Sequence, residues 1–147
     1  MDFQTRPDIC EYMVSLLPLG ITTVLEPTPG EGNLVAALKK KGFIVTAPTD
    51  FFAVDRTFDA VVMNPPFTPM KLGYEILFRC MEMSEVVIAL MPWLTIINSA
   101  KRIDAIKEFG LASVTHLPRN AFPGSRVQTC VLSMRKYFWG RTALLFF

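Results

Sequence analysis

The chain has 147 residues, which is long enough for one domain with a core but too short for two. Apolar residues make up 51% of it and charged residues 19%, which excludes an intrinsically disordered protein. The net charge of +2 is too small to predict or to exclude a polyanionic partner. The N-terminus lacks the apolar core of a secretory signal, and the longest apolar run, Val86 to Ile97, is too short to span a bilayer. We therefore expect a soluble, cytoplasmic protein without membrane contact.

The cysteines and the single histidine argue against a metal site. Cys10, Cys80 and Cys130 are widely spaced, and none belongs to a C-x-x-C pair. His116 lies within a run of strand-forming residues, where a structural role is the expected one. We predict three reduced core thiols and no bound metal.

From the N-terminus to Phe109, short β-branched runs alternate with segments of helical spacing. The strand runs end at Pro, Gly, Asn or Asp, as buried strands commonly do. Gly42 and Gly110 stand directly after two of the helical segments, where glycine commonly ends a helix. In chain order, the predicted elements are helix Pro7–Leu17, strand Thr22–Leu25, helix Asn33–Lys41, strand Phe43–Thr46, strand Asp59–Met63, helix Tyr74–Met83, strand Val86–Met91 and helix Ala100–Phe109.

The last third of the chain has a different pattern. Ser113–Leu117 and Val127–Arg135 both have strand composition, and the turn-rich residues 118–126 between them leave no room for a helix. These two strands are expected to form an antiparallel hairpin. The predicted fold class is α/β, a doubly wound and mostly parallel sheet closed by this hairpin, in a single domain over residues 1–147. The pattern assigns no element to the apolar tail Tyr137–Phe147.

A glycine-containing turn follows the first predicted strand. It includes Glu26, Thr28, Gly30 and Gly32, and it leads directly into the helix that begins at Asn33. Ligands of open α/β sheets lie beyond the carboxyl ends of the strands, and glycine lets the backbone approach them closely. Glu26 could bind a cationic or amino group. A generic strand–helix turn would have the same pattern, because an isolated G-x-G is weak evidence.

The tetrapeptide Asn64-Pro65-Pro66-Phe67 follows the third predicted strand. Two prolines end the strand and make a rigid turn. The side-chain oxygen of Asn64 and the carbonyl of Pro65 could hold both hydrogens of a flat exocyclic amine and favour the pyramidal nitrogen that forms during attack. Phe67 could stack on such a substrate. The alternative is a structural Asn-Pro turn with Phe67 in the core.

These two segments resemble the motifs of the N6-adenine-specific DNA methyltransferases. The first is similar to the family's E/D-P-x-x-G-x-G cofactor loop, and the second to a signature shared with glutamine N5-methyltransferases. The resemblance implies a Rossmann-like methyltransferase sheet, normally of seven strands with the last one reversed, and S-adenosylmethionine as cofactor. It implies catalytic roles for Asn64, Pro65, Pro66 and Phe67, and cofactor contacts from Glu26, Thr28, Gly30, Gly32 and Asn64.

Two further segments match the family in part. Asp50-Phe51 matches the pair that holds the adenine of the cofactor, although Asp50 beside a core Phe51 could equally be a helix cap. The family usually has an earlier acid for the ribose hydroxyls, but none follows Phe43–Thr46 before Asp50. Either the intervening helix and third strand are rudimentary, or Asp50 itself binds the ribose. Phe3-Gln4-Thr5-Arg6-Pro7 resembles an F-x-T-P element with one inserted residue, which implies a cofactor contact for Thr5 or, alternatively, an N-cap.

The segment between the last two predicted strands resembles the region where the family places a second aromatic residue. The resemblance implies that Phe122 stacks on a target base taken out of the duplex. Arg119 and Arg126 flank the same segment and could bind phosphates. A buried Phe122 between solvated arginines is the alternative.

The function implied by the resemblance is methylation of adenine N6 in DNA. RNA adenine or protein glutamine methylation, and a non-catalytic cofactor-binding subunit, are the alternatives. Family enzymes that act on specific DNA sequences carry a recognition domain, for which this chain has no room. A specificity subunit, a homo-oligomer or weak specificity would then be expected, with nucleic acid as the partner.

Overall fold

A computed structural model of the chain describes residues 4–147. Phe3, part of the N-terminal element, lies outside the described residues. Within them the chain forms five α-helices and seven strands. The helices are α1 Pro7–Ser15, α2 Asn33–Lys40, α3 Met70–Met83, α4 Leu94–Ile97 and α5 Ala100–Phe109. The strands are β1 Thr23–Leu25, β2 Ile44–Thr46, β3 Ala60–Met63, β4 Val86–Pro92, β5 Leu111–His116, β6 Thr129–Arg135 and β7 Ala143–Phe146.

All seven strands form one sheet in the order β2-β1-β3-β4-β6-β5-β7. The first four strands in this order are parallel, whereas β6 runs antiparallel to both β4 and β5. The predicted fold class, a mostly parallel doubly wound sheet with an antiparallel hairpin, is therefore confirmed. Because β1 and β3 are neighbours, the turns that follow them meet at one edge of the sheet.

The sheet has an apolar layer on each face. Successive residues of a strand point to opposite faces, so Val61 and Met63 join one buried cluster while Ala60 and Val62 join the other. All four residues of β3 are buried, which explains its continuous apolar run in the sequence. β3 is thus a fixed support for the Asn-Pro-Pro-Phe turn.

The structure differs from the predicted elements in four main places, of which the first is the short additional helix α4 after β4. The tail contributes an additional edge strand, β7, which pairs in parallel with β5. Between β2 and β3 the chain forms only a 3₁₀ turn over Phe51–Ala53, so the expected rudimentary third strand is replaced by a turn. Helix α3 begins at Met70 rather than Tyr74, because Gly73 is accommodated inside the helix.

The thiols and the histidine occupy structural positions. All three cysteines are free and buried, and burial raises the pKa of each. His116 Nδ1 accepts a hydrogen bond from Trp93 Nε1 at 3.0 Å. Across residues 4–147, no cluster of three or more His, Cys, Asp or Glu could hold a metal ion. No helix within the same range is long and apolar enough to cross a membrane.

Candidate active site

Two turns lie side by side at the edge of the sheet where the parallel strands end. They are the glycine turn, residues 26–32, and the diproline turn, Asn64-Pro65-Pro66-Phe67. They follow β1 and β3, whose register pairs Leu25 with Val61. A hydrogen bond of 3.2 Å from Thr28 Oγ1 to the backbone carbonyl of Asn64 connects the two turns directly. The two segments that the sequence singles out, some thirty residues apart, therefore form one structural unit.

Both turns line one cavity of about 650 Å³. Its volume lies in the range of small-molecule and cofactor sites. Among the described residues predicted for the site, Gly32, Arg119 and Arg126 lie outside its lining. The predicted residues that line it are Thr5, Glu26, Thr28, Gly30, Asp50, Phe51, Asn64, Pro65, Pro66, Phe67 and Phe122.

Glu26 is a buried carboxyl group in the wall of this cavity. Its side chain is 2% exposed and accepts a hydrogen bond from the Thr28 backbone N–H at 2.8 Å. Burial raises the pKa of Glu26 from 4.5 to about 8, and the Thr28 hydrogen bond offsets only part of that rise. Residues 4–147 supply it with no ion pair. A cationic group entering the cavity would lower this pKa and favour the charged form of the carboxyl group.

The backbone of the glycine turn requires its two glycines. Gly30 and Gly32 have φ of +54° and +89°, values that other residues rarely adopt. A methyl group at Gly30 would lie 3.1 Å from the side-chain nitrogen of Gln4, a further cavity residue that sequence reasoning missed. Gly32 is the N-cap of α2 and shapes the turn from outside the cavity.

The amide of Asn64 is held by Thr5. Asn64 Nδ2 donates to Thr5 Oγ1 at 2.8 Å, and the backbone carbonyl of Thr5 accepts from Asn33 Nδ2 at 2.9 Å. Thr5 is not the N-cap of α1, because Arg6 occupies that position. The N-terminal segment therefore packs against the diproline turn, and Asn33 is another contributor that the sequence did not indicate.

The diproline turn rests on Gly73 of α3. A methyl group at this position would lie 2.9 Å from the carbonyl oxygen of Pro66, closer than Cβ atoms approach oxygen in real structures. Glycine thus lets α3 approach the turn closely. The signal in the sequence was a lone glycine inside a helical pattern, which commonly marks a packing requirement.

Asp50 and Phe51 lie at the part of the cavity that follows β2. Asp50 Oδ1 accepts from Phe52 N at 3.2 Å and caps the 3₁₀ turn, while Phe51 is 5% exposed and belongs to the core. These contacts agree with the alternative in which Asp50 is a helix cap beside a core Phe51. Both residues nevertheless also line the cavity. Phe52, which the sequence did not single out, lines the cavity and is 54% exposed.

The connection between β5 and β6 closes another part of the cavity. Phe122 is 5% exposed and packs in the apolar cluster on the α1 and α2 face, yet it also lines the cavity. Arg119 and Arg126 are exposed at the surface. The burial of Phe122 and the exposure of both arginines agree with the alternative of a buried ring between solvated arginines.

Comparison with solved structures defines the class of fold. No protein-family model and no curated protein matches the chain in sequence. A protein of Listeria monocytogenes assigned to the class I S-adenosylmethionine-dependent methyltransferases matches with a TM-score of 0.72 at 16% identity, over 95% of this chain and 63% of that one. The chain therefore has the Rossmann-like fold of class I methyltransferases.

Two of the other similar structures are restriction–modification proteins. The methyltransferase subunit of a type I restriction-modification system from Streptococcus thermophilus matches with a TM-score of 0.76 at 16% identity, over 98% of this chain and 47% of that one. A modification subunit assigned to a type I restriction enzyme of Vibrio vulnificus matches with a TM-score of 0.72 at 16% identity, over 96% and 45%. The chain thus spans less than two thirds of each of these three neighbours.

Proposed function

We propose that the chain binds S-adenosylmethionine in the cavity and transfers its methyl group to the N6 amine of adenine in DNA. The observation that carries the proposal is the hydrogen bond between Thr28 and Asn64, which joins the glycine turn to the diproline turn at one cavity. A methyl donor held by one turn would then lie beside an amine held by the other. Alignment of reacting groups in this way supplies a large part of the rate in such transfers.

The residues of the glycine turn fit the cofactor. Glu26 offers a buried carboxyl group to the amino group of the cofactor's methionine moiety, while Gly30 permits close approach of the backbone. Phe52 supplies exposed aromatic surface beside Asp50, where the resemblance implies the adenine of the cofactor. When bound, the cofactor supplies an electrophilic methyl group on a positively charged sulfur.

The residues of the diproline turn fit an aromatic amine. Thr5 accepts from the Nδ2 of Asn64 and so fixes the orientation of the amide, whose Oδ1 is the acceptor proposed for one N–H of the substrate. The carbonyl of Pro65 is the second acceptor proposed for the amine, and Phe67, half-buried at the cavity, is the stacking surface. Fixed acceptors of this kind stabilise the developing charge on nitrogen without the help of a metal.

DNA is proposed as substrate because two similar structures belong to type I restriction–modification systems. This chain spans under half of each of them, so DNA as the substrate remains a proposal that the transfer assay has to test. Aromatic Phe67 and Phe122 at the cavity favour a base over a protein glutamine. Stacking on aromatic rings stabilises bases that have left the duplex.

The test is transfer of a radiolabelled methyl group from S-adenosylmethionine to DNA, RNA and protein pools, followed by nucleoside analysis. We expect label in N6-methyladenine from DNA, and its loss in Asn64→Ala because an acceptor of the amine is removed. Asn98→Ala, which changes an exposed asparagine after α4, serves as the matched control and should retain activity.

The other outcomes identify the alternatives. Label in RNA alone would move the activity to RNA adenine, and label in protein alone would move it to glutamine N5. Calorimetry with S-adenosylmethionine separates a cofactor-binding subunit without turnover from an active enzyme. Failure to bind the cofactor would refute the proposal in all its forms.

A further inference from the structure

The edge strand β7 is an apolar surface that the proposed function does not use. It is the last strand in the sheet order and pairs with β5. All four of its residues are exposed, including Leu144, Leu145 and Phe146. Exposed apolar edge strands offer hydrogen-bonding groups to another strand, and native proteins commonly protect them.

We propose that β7 is the contact between two copies of this chain, paired antiparallel about a two-fold axis centred on Leu145. The two sheets would then form one continuous sheet. The proposal does not depend on methyl transfer. It concerns the homo-oligomer that the sequence analysis gave as one possibility. Three features of β7 support it: the direction of its backbone N–H and C=O groups, the match of its side chains in the paired register, and its exposed apolar area.

The backbone groups of β7 have a defined direction. Phe147 N donates to the carbonyl oxygen of His116 at 3.0 Å, so the N–H and C=O of Phe147 point toward β5. These groups alternate along a strand, so Leu145 also points toward β5 while Leu144 and Phe146 point to the open edge. In a pair centred on Leu145, Leu144 stands opposite Phe146 of the second copy. Both residues therefore have outward N–H and C=O groups in the positions for an antiparallel hydrogen-bonded pair.

The same register matches side chains by size. With a two-fold axis perpendicular to the sheet, the side chains of two opposite residues must point to the same face of the sheet. This condition is met when Leu145 of one copy stands opposite Leu145 of the other. Ala143 then stands opposite Phe147, and Leu144 opposite Phe146, so the smaller side chain of each pair faces an aromatic ring. No charged residue lies between Thr142 and Phe147, so no like charges meet across the axis. Such self-complementarity is what an isologous contact requires.

The exposed area corresponds to a small contact. Phe146 and Phe147 are 75% and 41% exposed, and Leu144 and Leu145 are 58% and 41% exposed. With about 200 Å² for each ring, the two phenylalanines expose roughly 230 Å² of aromatic surface per copy, to which the leucines and the paired backbone add. Specific interfaces of standard size bury about 1,200–2,000 Å² in total, so we expect this dimer to lie at the low end of interface size.

The pairing leaves both cavities open. β7 runs parallel to β5, and its carboxyl end therefore lies at the same edge of the sheet as the cavity. The two-fold axis reverses the second copy, which places its cavity at the opposite edge of the continuous sheet. Variants that separate the copies should consequently retain cofactor binding, and this distinguishes loss of the dimer from loss of the fold.

The test is the molar mass of the full chain in solution, by light scattering and sedimentation at micromolar concentrations. We expect twice the chain mass of 16.5 kDa for the unmodified protein. Leu145→Lys places two lysines opposite each other at the axis and should give the single-chain mass. Ile44→Lys is the matched control, because it changes an exposed apolar residue on β2, the strand at the other edge, and should leave the dimer intact.

Leu144→Pro is a second variant with a more specific effect. It removes an N–H that points to the open edge, so the pairing of β7 with β5 keeps its hydrogen bonds while the contact between copies loses two, one donated by each copy. We expect a single-chain mass with an unchanged circular dichroism spectrum. A single-chain mass for the unmodified protein, a larger open assembly, or a dimer that survives both β7 substitutions would overturn the proposal.

Discussion

Replacing Glu26 by glutamine should change how the stability of the ligand-free protein depends on pH. The pKa of this carboxyl group is raised from 4.5 to about 8 in the folded protein, mainly because burial disfavours its charged form. In the unfolded chain the group ionises near its ordinary value. Over the window between the two pKa values, the folded state holds a proton that the unfolded state has lost.

The sign and size of the effect follow from this difference. The stability associated with Glu26 is fully present below about pH 4.5 and is lost as the pH rises toward 8. Each pH unit in that window costs about 1.4 kcal/mol, so the loss at pH 7 amounts to about 3 kcal/mol. Glutamine is neutral and still offers an oxygen to the Thr28 N–H. We therefore expect Glu26→Gln to be more stable than the parent by about 3 kcal/mol at neutral pH.

The assay is urea unfolding of both proteins without cofactor, at several pH values between about 5 and 8. The difference in unfolding free energy should grow with pH and fall to about 1 kcal/mol or less at the acid end. Glu31→Gln, which changes an exposed carboxylate in the same turn, should show no such trend. A difference that does not change with pH would refute the assignment of a raised pKa to Glu26. Glu26→Gln should also bind S-adenosylmethionine more weakly, because it cannot provide a negative charge.

Two further predictions concern the support of the diproline turn. Thr5→Val removes the acceptor of Asn64 Nδ2, so we expect kcat to fall by up to about a hundredfold, with a smaller effect on cofactor affinity. Thr5→Ser keeps a hydroxyl acceptor and should restore kcat. An unchanged kcat in Thr5→Val would exclude a positioning role for Thr5. Gly73→Ala forces a methyl group against the Pro66 carbonyl and should cost about 1–3 kcal/mol in unfolding free energy together with activity. Lys71→Ala on the same helix is its control, and equal effects of the two substitutions would contradict the contact.

The parts of the fold that the sequence predicted are those with strong local patterns. β3 and β4 are buried on both faces, so their runs are continuously apolar. The hairpin of β5 and β6 was predictable because the residues between them are rich in turn formers and leave no room for a helix. β7 was not predictable, since Ala143–Phe146 lacks the alternation of a half-buried strand and acquires its register from β5.

The candidate site was predictable where one short segment carries the geometry. The glycine turn and the diproline turn each follow a strand, and adjacent parallel strands bring their ends together. The contact between Thr5 and Asn64 joins residues that are far apart in sequence, and no local pattern reports it. Phe122 shows a related limit, because an aromatic residue in a loop has the same sequence signature whether it faces a ligand or the core.

The short connection between β2 and β3 illustrates how a reduced fold can keep its cavity. In place of a helix and strand, the chain makes a 3₁₀ turn whose Phe51 packs into the same apolar cluster as Val61 and Met63. Burying this ring fixes the turn against the sheet, so its neighbours Asp50 and Phe52 are held at the cavity. The wall on this side therefore depends on Phe51 for its position, whereas the exposed ring of Phe52 is the surface that a flat ligand could cover.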